Sequence, residues 1–197
     1  MKYYDIAREL FTAPVFPGNP EPEHIWLKRI QDGLPSNLTY LKMCAHNGTH
    51  MDAPLHFVDS GRTIEQVPLE QVMGPCSVIE AEGTPDGAAI AKMIAGRRER
   101  ILWKGDVVFL EDGAQAMVDA GVRLVGVEAR TVGPMDDTTG NHRVGVHRIL
   151  LGADLTILEG LDLSDVPAGD YFLCAQPLKL GECEGSPCRP VLIEGIL

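Results

Sequence analysis

Four side chains able to hold a metal ion fall at even positions within one short stretch: His46, His50, Asp52 and His56. Side chains of an extended chain alternate with a period of two, so all four would project from one face. Gly48 lies on that face between the first two and, having no side chain, is expected to leave room there for an ion and its ligands. On a helix, His46 and His50 would still align, but Asp52 would point well away. Pro54 also argues against a helix running through to His56. The segment therefore predicts extended or turning backbone. Imidazole and carboxylate are suitable ligands for zinc or manganese. A polar loop whose histidines cap turns would explain any one of these residues. Three of the chain's six histidines in one such run point instead to a divalent metal site.

Patterning around this segment predicts an α/β fold with a mixed sheet, in a single domain spanning residues 1–197. The proline-rich stretch at 13–22 predicts a fixed surface loop. Residues 38–45 alternate as a strand should, with Leu41, Met43 and Ala45 on one side and Tyr40, Lys42 and Cys44 on the other. Further strands are expected at 77–81, 106–110, 124–128, 155–158, 171–174 and 191–196. Helical character is expected at 88–97, at 115–120 up to a cap at Gly121, and at 144–151 up to Gly152. Residues 67–73 read as a short helix or turn. The basic run Arg97, Arg98 and Arg100 reads as the solvated end of the helix before it.

Charge narrows the partners. With 28 acidic and 17 basic residues the net charge is −11, which disfavours nucleic acid and anionic membrane surfaces as partners; the charge itself says nothing about the small-molecule substrate expected of such a site. The N-terminus has no apolar core of a signal peptide, and no apolar run is long enough to span a bilayer. An odd number of cysteines, five, without a secretion signal suggests reduced thiols and a cytoplasmic protein. Cys183 and Cys188 do not have the spacing of a zinc pair.

A second group could complete the site. His147 falls on the expected helix at 144–151, and Glu159 directly follows the apolar run Leu155-Thr156-Ile157-Leu158. A carboxylate there is expected near the interior, where it is costly unless paired or bound to a cation.

The run His46-Asn47-Gly48-Thr49-His50-Met51-Asp52-Ala53-Pro54-Leu55-His56-Phe57 resembles the hallmark of the metal-dependent cyclase/kynurenine formamidase family, His-x-Gly-Thr-His-x-Asp-x-Pro-x-His-Phe. Phe16-Pro17-Gly18-Asn19 resembles that family's early Trp-Pro-Gly-Asp loop, and residues 120–128 its Gly-Val-x-Leu-Ile-Gly-x-Asp strand. Residues 146–151 and 158–161 resemble its later ligand region, and 178–180 with 185–189 its C-terminal hairpin. The resemblance implies a swivelling β/β/α-type fold, usually a homodimer or higher homo-oligomer, with one or two divalent ions, zinc ahead of manganese. It implies that His46, His50 and Asp52 hold the first ion, and that Asp52 bridges to a second held by His147 and Glu159. His56 would be the general acid/base. The family hydrolyses amides, notably N-formylkynurenine, and some members open cyclic amides such as isatin. Phe16 stands where a tryptophan is usual, and Glu128, Thr131 and Gly133 where an Asp-x-x-Ser-x-Asp pattern is typical.

The expected chemistry is amide hydrolysis by metal-activated water, with His56 carrying the proton and Phe16 and Phe57 packing against a flat substrate. No Gly-x-Ser-x-Gly elbow is present to support a serine nucleophile. The alternatives are a hydrolase of lactones or other cyclic substrates, and a catalytically silent metal- or ligand-binding protein. His56 beside the ligand set favours an enzyme.

Overall fold

The computed structural model describes residues 1–135 and 144–196. Its centre is four parallel strands, β5 (Met73–Glu80), β6 (Arg100–Lys104), β7 (Leu124–Val127) and β8 (Thr156–Glu159). The three connections carry the helices α2 (Gly87–Ile94), α3 (Glu111–Asp119) and α4 (Gly145–Gly152). Antiparallel strands extend both sides of this block. On one side lie β9 (Gly169–Cys174), β11 (Val191–Glu194) and β1 (Lys2–Asp5); on the other lie β4 (His50–Asp52) and β10 (Gly185–Pro187). The result is a nine-stranded mixed sheet in the order β1-β11-β9-β5-β6-β7-β8-β4-β10.

The central strands are apolar on both faces, as parallel strands covered on both sides must be. Ile101 and Trp103 of β6, Val125 and Val127 of β7 and Ile157 of β8 pack on one face, against Ile90 and Ile94 of α2, Met117 of α3 and Leu150 of α4. Leu102, Leu124 and Leu158 point the other way, into a second core with Tyr4, Met51, Tyr171 and Leu192 from the antiparallel arms. The two arms thus close over one face of the sheet while the helices cover the other. Asp86 caps α2 by accepting from the Ala89 N–H at 2.8 Å. A short helix, α1 (Leu69–Val72), precedes β5.

Several expectations change. Residues 38–45 shorten to β3 (Leu38–Lys42), which pairs only with β2 (Glu23–Lys28) in a separate two-stranded ribbon, and every residue of both strands is exposed. Residues 106–110 form no strand. Val107 and Phe109 are buried there, and only a single bridge, Gly83 to Val107, pairs the segment. The basic run is not a solvated helix end throughout. Arg100 opens β6 and is buried, donating to the carbonyls of Gln71, Pro75 and Glu70, and so satisfies the open C-terminus of α1. Among the described residues, no helix is long and apolar enough to cross a membrane.

Candidate metal centre

The site lies where the C-terminal end of β8 meets β4. Glu159 is the last residue of β8, and its partner in the antiparallel register is His50; Asp52 sits opposite Ile157. Alternation along β4 turns His50 and Asp52 to the site and sends Met51 into the core. Period-two spacing therefore holds for this pair alone. His46 reaches the site from the turn before β4, and His56 from the 3-10 turn Pro54–His56 that follows.

The remaining residues of this segment build those turns. Asn47 accepts from the Cys44 N–H at 2.7 Å and donates to the Pro20 carbonyl. The Thr49 hydroxyl donates to the Gly160 carbonyl at 2.6 Å and accepts from the Arg8 N–H. Gly48 does not clear space for an ion, as its position in the sequence suggests. Its φ is +64°, and a Cβ there would lie 3.1 Å from Leu10 Cδ1, away from the ligands. Glycine is needed for the left-handed turn and the packing of the 8–13 segment against it.

Three imidazoles, those of His46, His50 and His147, form a closed group around Asp52 and Glu159. Nδ1 of His46 stands 2.9 Å from Asp52 Oδ1, and Nε2 of His50 stands 3.5 Å from the same oxygen. Nε2 of His50 also lies 3.4 Å from Glu159 Oε2. His147, on α4, places Nε2 3.2 Å from Glu159 Oε1 and 3.9 Å from Asp52 Oδ2. Two sets of donor atoms lie within 4.8 Å of one another: His50, Asp52 and Glu159, all buried, and His46, Asp52 and His56. His56 stacks on His46 with ring centroids 4.2 Å apart, and Phe57 packs between His56 and His147, at 4.4 and 4.8 Å.

This group fits a divalent cation. Both oxygens of Asp52 are buried without a hydrogen bond from the described residues, although three imidazoles surround them. His50 donates from Nδ1 to the Gly48 carbonyl at 2.9 Å, which leaves the Nε2 lone pair for the site. Two adjacent buried carboxylates require positive charge, and without an ion the histidines supply it by protonation. Burial disfavours charged His46, yet the Asp52 and Glu184 carboxylates raise it to about 9. Burial likewise opposes charge on His50 and His147, but contact with Glu159 raises both. Asp52 is held well below the usual carboxylate range: desolvation pushes it up, and the charge and contact of His46 outweigh that. A bound divalent ion would replace those protons. Burial lowers His56 instead, so it remains a neutral base near pH 7. Burial, with Asp52 nearby, pushes the Cys188 thiol up to about 12, and Cys188 falls in neither set of close donor atoms.

A small chamber of ≈ 150 Å³ lies over the donors and is lined by Phe16, Phe57, His46, His50, His56, His147 and Glu159 among others. It adjoins a cavity of ≈ 750 Å³ that shares Phe16, His46 and His50 and adds Arg8 and Glu128. Together these are large enough for a small organic substrate. The structure thus gathers all six histidine and carboxylate candidates, with Phe16 and Phe57 at the chamber wall. The sequence reading missed Glu184, whose Oε1 lies 3.2 Å from His46 Nε2. It also missed the Val132 N–H, which donates to Glu159 Oε1 at 2.9 Å. Glu184 is 138 positions from its partner, and no local pattern marks it.

Comparison with known proteins agrees with this geometry. The profile of the Cyclase family matches residues 4–128. A kynurenine formamidase of Paracidovorax citrulli is 36% identical over 209 residues, covering 96% of this chain and 95% of its own. A kynurenine formamidase of Salinibacter ruber is 34% identical over 210 residues, covering 98% and 97%. A solved structure described as a potential metal-dependent hydrolase with cyclase activity superposes with a TM-score of 0.80 at 30% identity, covering 97% of this chain and 96% of that one. The matched segment includes the whole His46–Phe57 run and most of the central sheet, and the chain belongs to the Cyclase family.

Proposed function

We propose that this protein is a metal-dependent hydrolase of amide bonds other than peptide bonds, acting on an aryl formamide such as N-formylkynurenine or on a related cyclic amide. The observation that carries this reading is the buried pair Asp52 and Glu159, ringed by three imidazoles, beneath a small chamber lined by Glu159 and those imidazoles that adjoins a substrate-sized cavity. The names of the two kynurenine formamidases and of the metal-dependent hydrolase support it. His46, His50 and Asp52 would hold one ion, and His147 and Glu159, with Asp52 shared, a second. Zinc suits this nitrogen-and-oxygen donor set best, with manganese the alternative. When bound, a divalent ion lowers the pKa of water toward neutrality and polarises a carbonyl oxygen.

The chain's own residues do the rest. His56 is neutral at pH 7 and lies against the ligand group, so its free ring nitrogen can take a proton from water and deliver it to the departing amide nitrogen. Phe57 fixes the orientation of His56 by edge contact, and Phe16 lines both chamber and cavity, where it can pack on a flat ring. His50 keeps its donor nitrogen aimed inward through its bond to the Gly48 carbonyl.

The β2–β3 ribbon supports a homodimer. A two-stranded ribbon is marginal in water by itself, and this one exposes Ile25, Trp26, Leu27, Tyr40 and Leu41. A second copy of the chain would bury those side chains. All five cysteines are free thiols, in keeping with a cytoplasmic protein. A hydrolysis screen of zinc- and manganese-loaded protein against formanilides, isatin, cyclic imides and lactones tests the reading. Turnover of the amides is expected. Turnover of lactones alone would reassign the substrate, and no turnover at all would leave a binding protein.

A further inference from the structure

Strand β10 and the residue before it press on the outer edge of His46. Gly185 pairs with Asp52 in the β10–β4 register. A Cβ built on Gly185 would lie 2.7 Å from His46 Cε1 and 3.0 Å from the Met51 carbonyl oxygen. Glycine therefore lets the strand backbone close onto the imidazole. Glu184 then meets the ring from outside: its Oε1 is 3.2 Å from Nε2, while Nδ1 on the inner side is 2.9 Å from Asp52 Oδ1. The His46 side chain is 11% exposed, and that of Glu184 is 40% exposed. The imidazole thus lies between an outer carboxylate at the solvent boundary and an inner, fully buried one.

We propose that Glu184 is a positioning residue of the metal centre, acting through His46. This rests on the metal-centre reading above. Its carboxylate accepts the Nε2–H proton, which fixes the tautomer that leaves the Nδ1 lone pair facing Asp52 and the ion they would share. A carboxylate on the far nitrogen also makes the imidazole a stronger donor. The effect does not stop at His46. Its ring stacks on His56 at 4.2 Å and 30°, so the carboxylate that sets the plane of His46 also sets the plane of the general acid/base. Gly185 serves the same end, since any side chain there would push the ring away from Asp52.

The proposal makes separable demands on charge and geometry. Glu184→Ala removes both the charge and the acceptor. Glu184→Gln keeps an acceptor oxygen at the same reach and loses only the charge, so it should be intermediate. Glu182→Gln removes a carboxylate two residues away that has no bond to His46, and controls for local charge. Each variant would be titrated with zinc against a chromophoric chelator, and each zinc-loaded protein examined by imidazole nitrogen NMR. Glu184→Ala should weaken the tighter zinc site by about 10- to 100-fold and lose the slowly exchanging Nε2–H resonance of His46. The melting temperature of the metal-free protein should fall only slightly, because Glu184 is itself 40% exposed and Asp52 still faces His46 at 2.9 Å. Glu182→Gln should match the parent. Parent affinity in Glu184→Ala, or an equal loss in Glu182→Gln, would overturn the assignment of Glu184 alone. Parent protein that binds no zinc would instead overturn the metal-centre reading.

Discussion

His50 and Glu159 face each other across the β4–β8 ladder, register partners with Nε2 3.4 Å from Oε2. A backbone ladder thereby fixes the separation of two donors that are 109 residues apart in the chain. Each is also braced from behind, His50 by the Gly48 carbonyl and Glu159 by the Val132 N–H. Such bracing lets a site hold two buried carboxylates close together before any ion binds.

Separation of ligand from acid/base follows from this placement. His50→Ala should lose metal and activity together, because it removes a braced donor in contact with both carboxylates. His56→Ala should retain the metal and lose about 10²–10⁴-fold in turnover. Metal stoichiometry and formanilide hydrolysis of each variant are the readouts. Because His56 also falls in one of the close donor sets, loss of metal from His56→Ala would make it a ligand and pass the proton-transfer role to another group.

Metal uptake should release protons. His46 is raised from 6.5 to about 9 without an ion, burial being outweighed by Asp52 and Glu184. It is therefore charged at pH 7 and must give up its proton to ligate. Calorimetry of zinc binding in buffers of different ionisation enthalpy should show proton release at pH 7 that declines toward pH 9. The sign for stability follows from the raised value. This group's contribution to the metal-free fold is complete below pH 6.5 and is lost as pH rises through about 9. Melting temperature of the metal-free protein should fall over that window, and the zinc-loaded protein should lack this component.

Gly48→Ala distinguishes the two explanations for that glycine. A side chain there meets Leu10 rather than the ligands and is strained at φ +64°. The substitution should cost about 1–2 kcal/mol of stability and leave zinc stoichiometry unchanged. Loss of zinc from a folded Gly48→Ala protein would restore the role of making room for the ion.

What was legible in the sequence tracks what is local. His46, His50, Asp52 and His56 lie in one run, and the strand β8 is a continuous apolar block, so these elements could be read directly. Central strand β6 was hidden because it opens with Arg100, whose charge is satisfied by carbonyls of α1 and the start of β5, 25 to 30 residues earlier. Residues 107–110 are apolar, and Val107 and Phe109 are buried, which needs no ladder. The period-two argument picked out residues that the fold does bring together, but turns rather than a strand deliver His46 and His56. Glu184 depends on a pairing between chain regions that no spacing rule connects.

The exposed ribbon should govern assembly. Trp26→Glu places a charge among Ile25, Leu27, Tyr40 and Leu41, all exposed in the single chain. Sedimentation at micromolar concentration should give a dimer for the parent and a monomer for this variant, with the far-ultraviolet spectrum retained. A monomeric parent would remove the dimer from the account.

The most direct measurement is turnover of an activated formanilide by one protein sample in three states: as purified, stripped by chelator, and reloaded with stoichiometric zinc or manganese. The donor group around Asp52 and Glu159 predicts turnover that vanishes on stripping and returns on reloading with one or two equivalents. Hydrolysis that continues at the original rate in the stripped protein would contradict a metal-dependent hydrolase built on these residues.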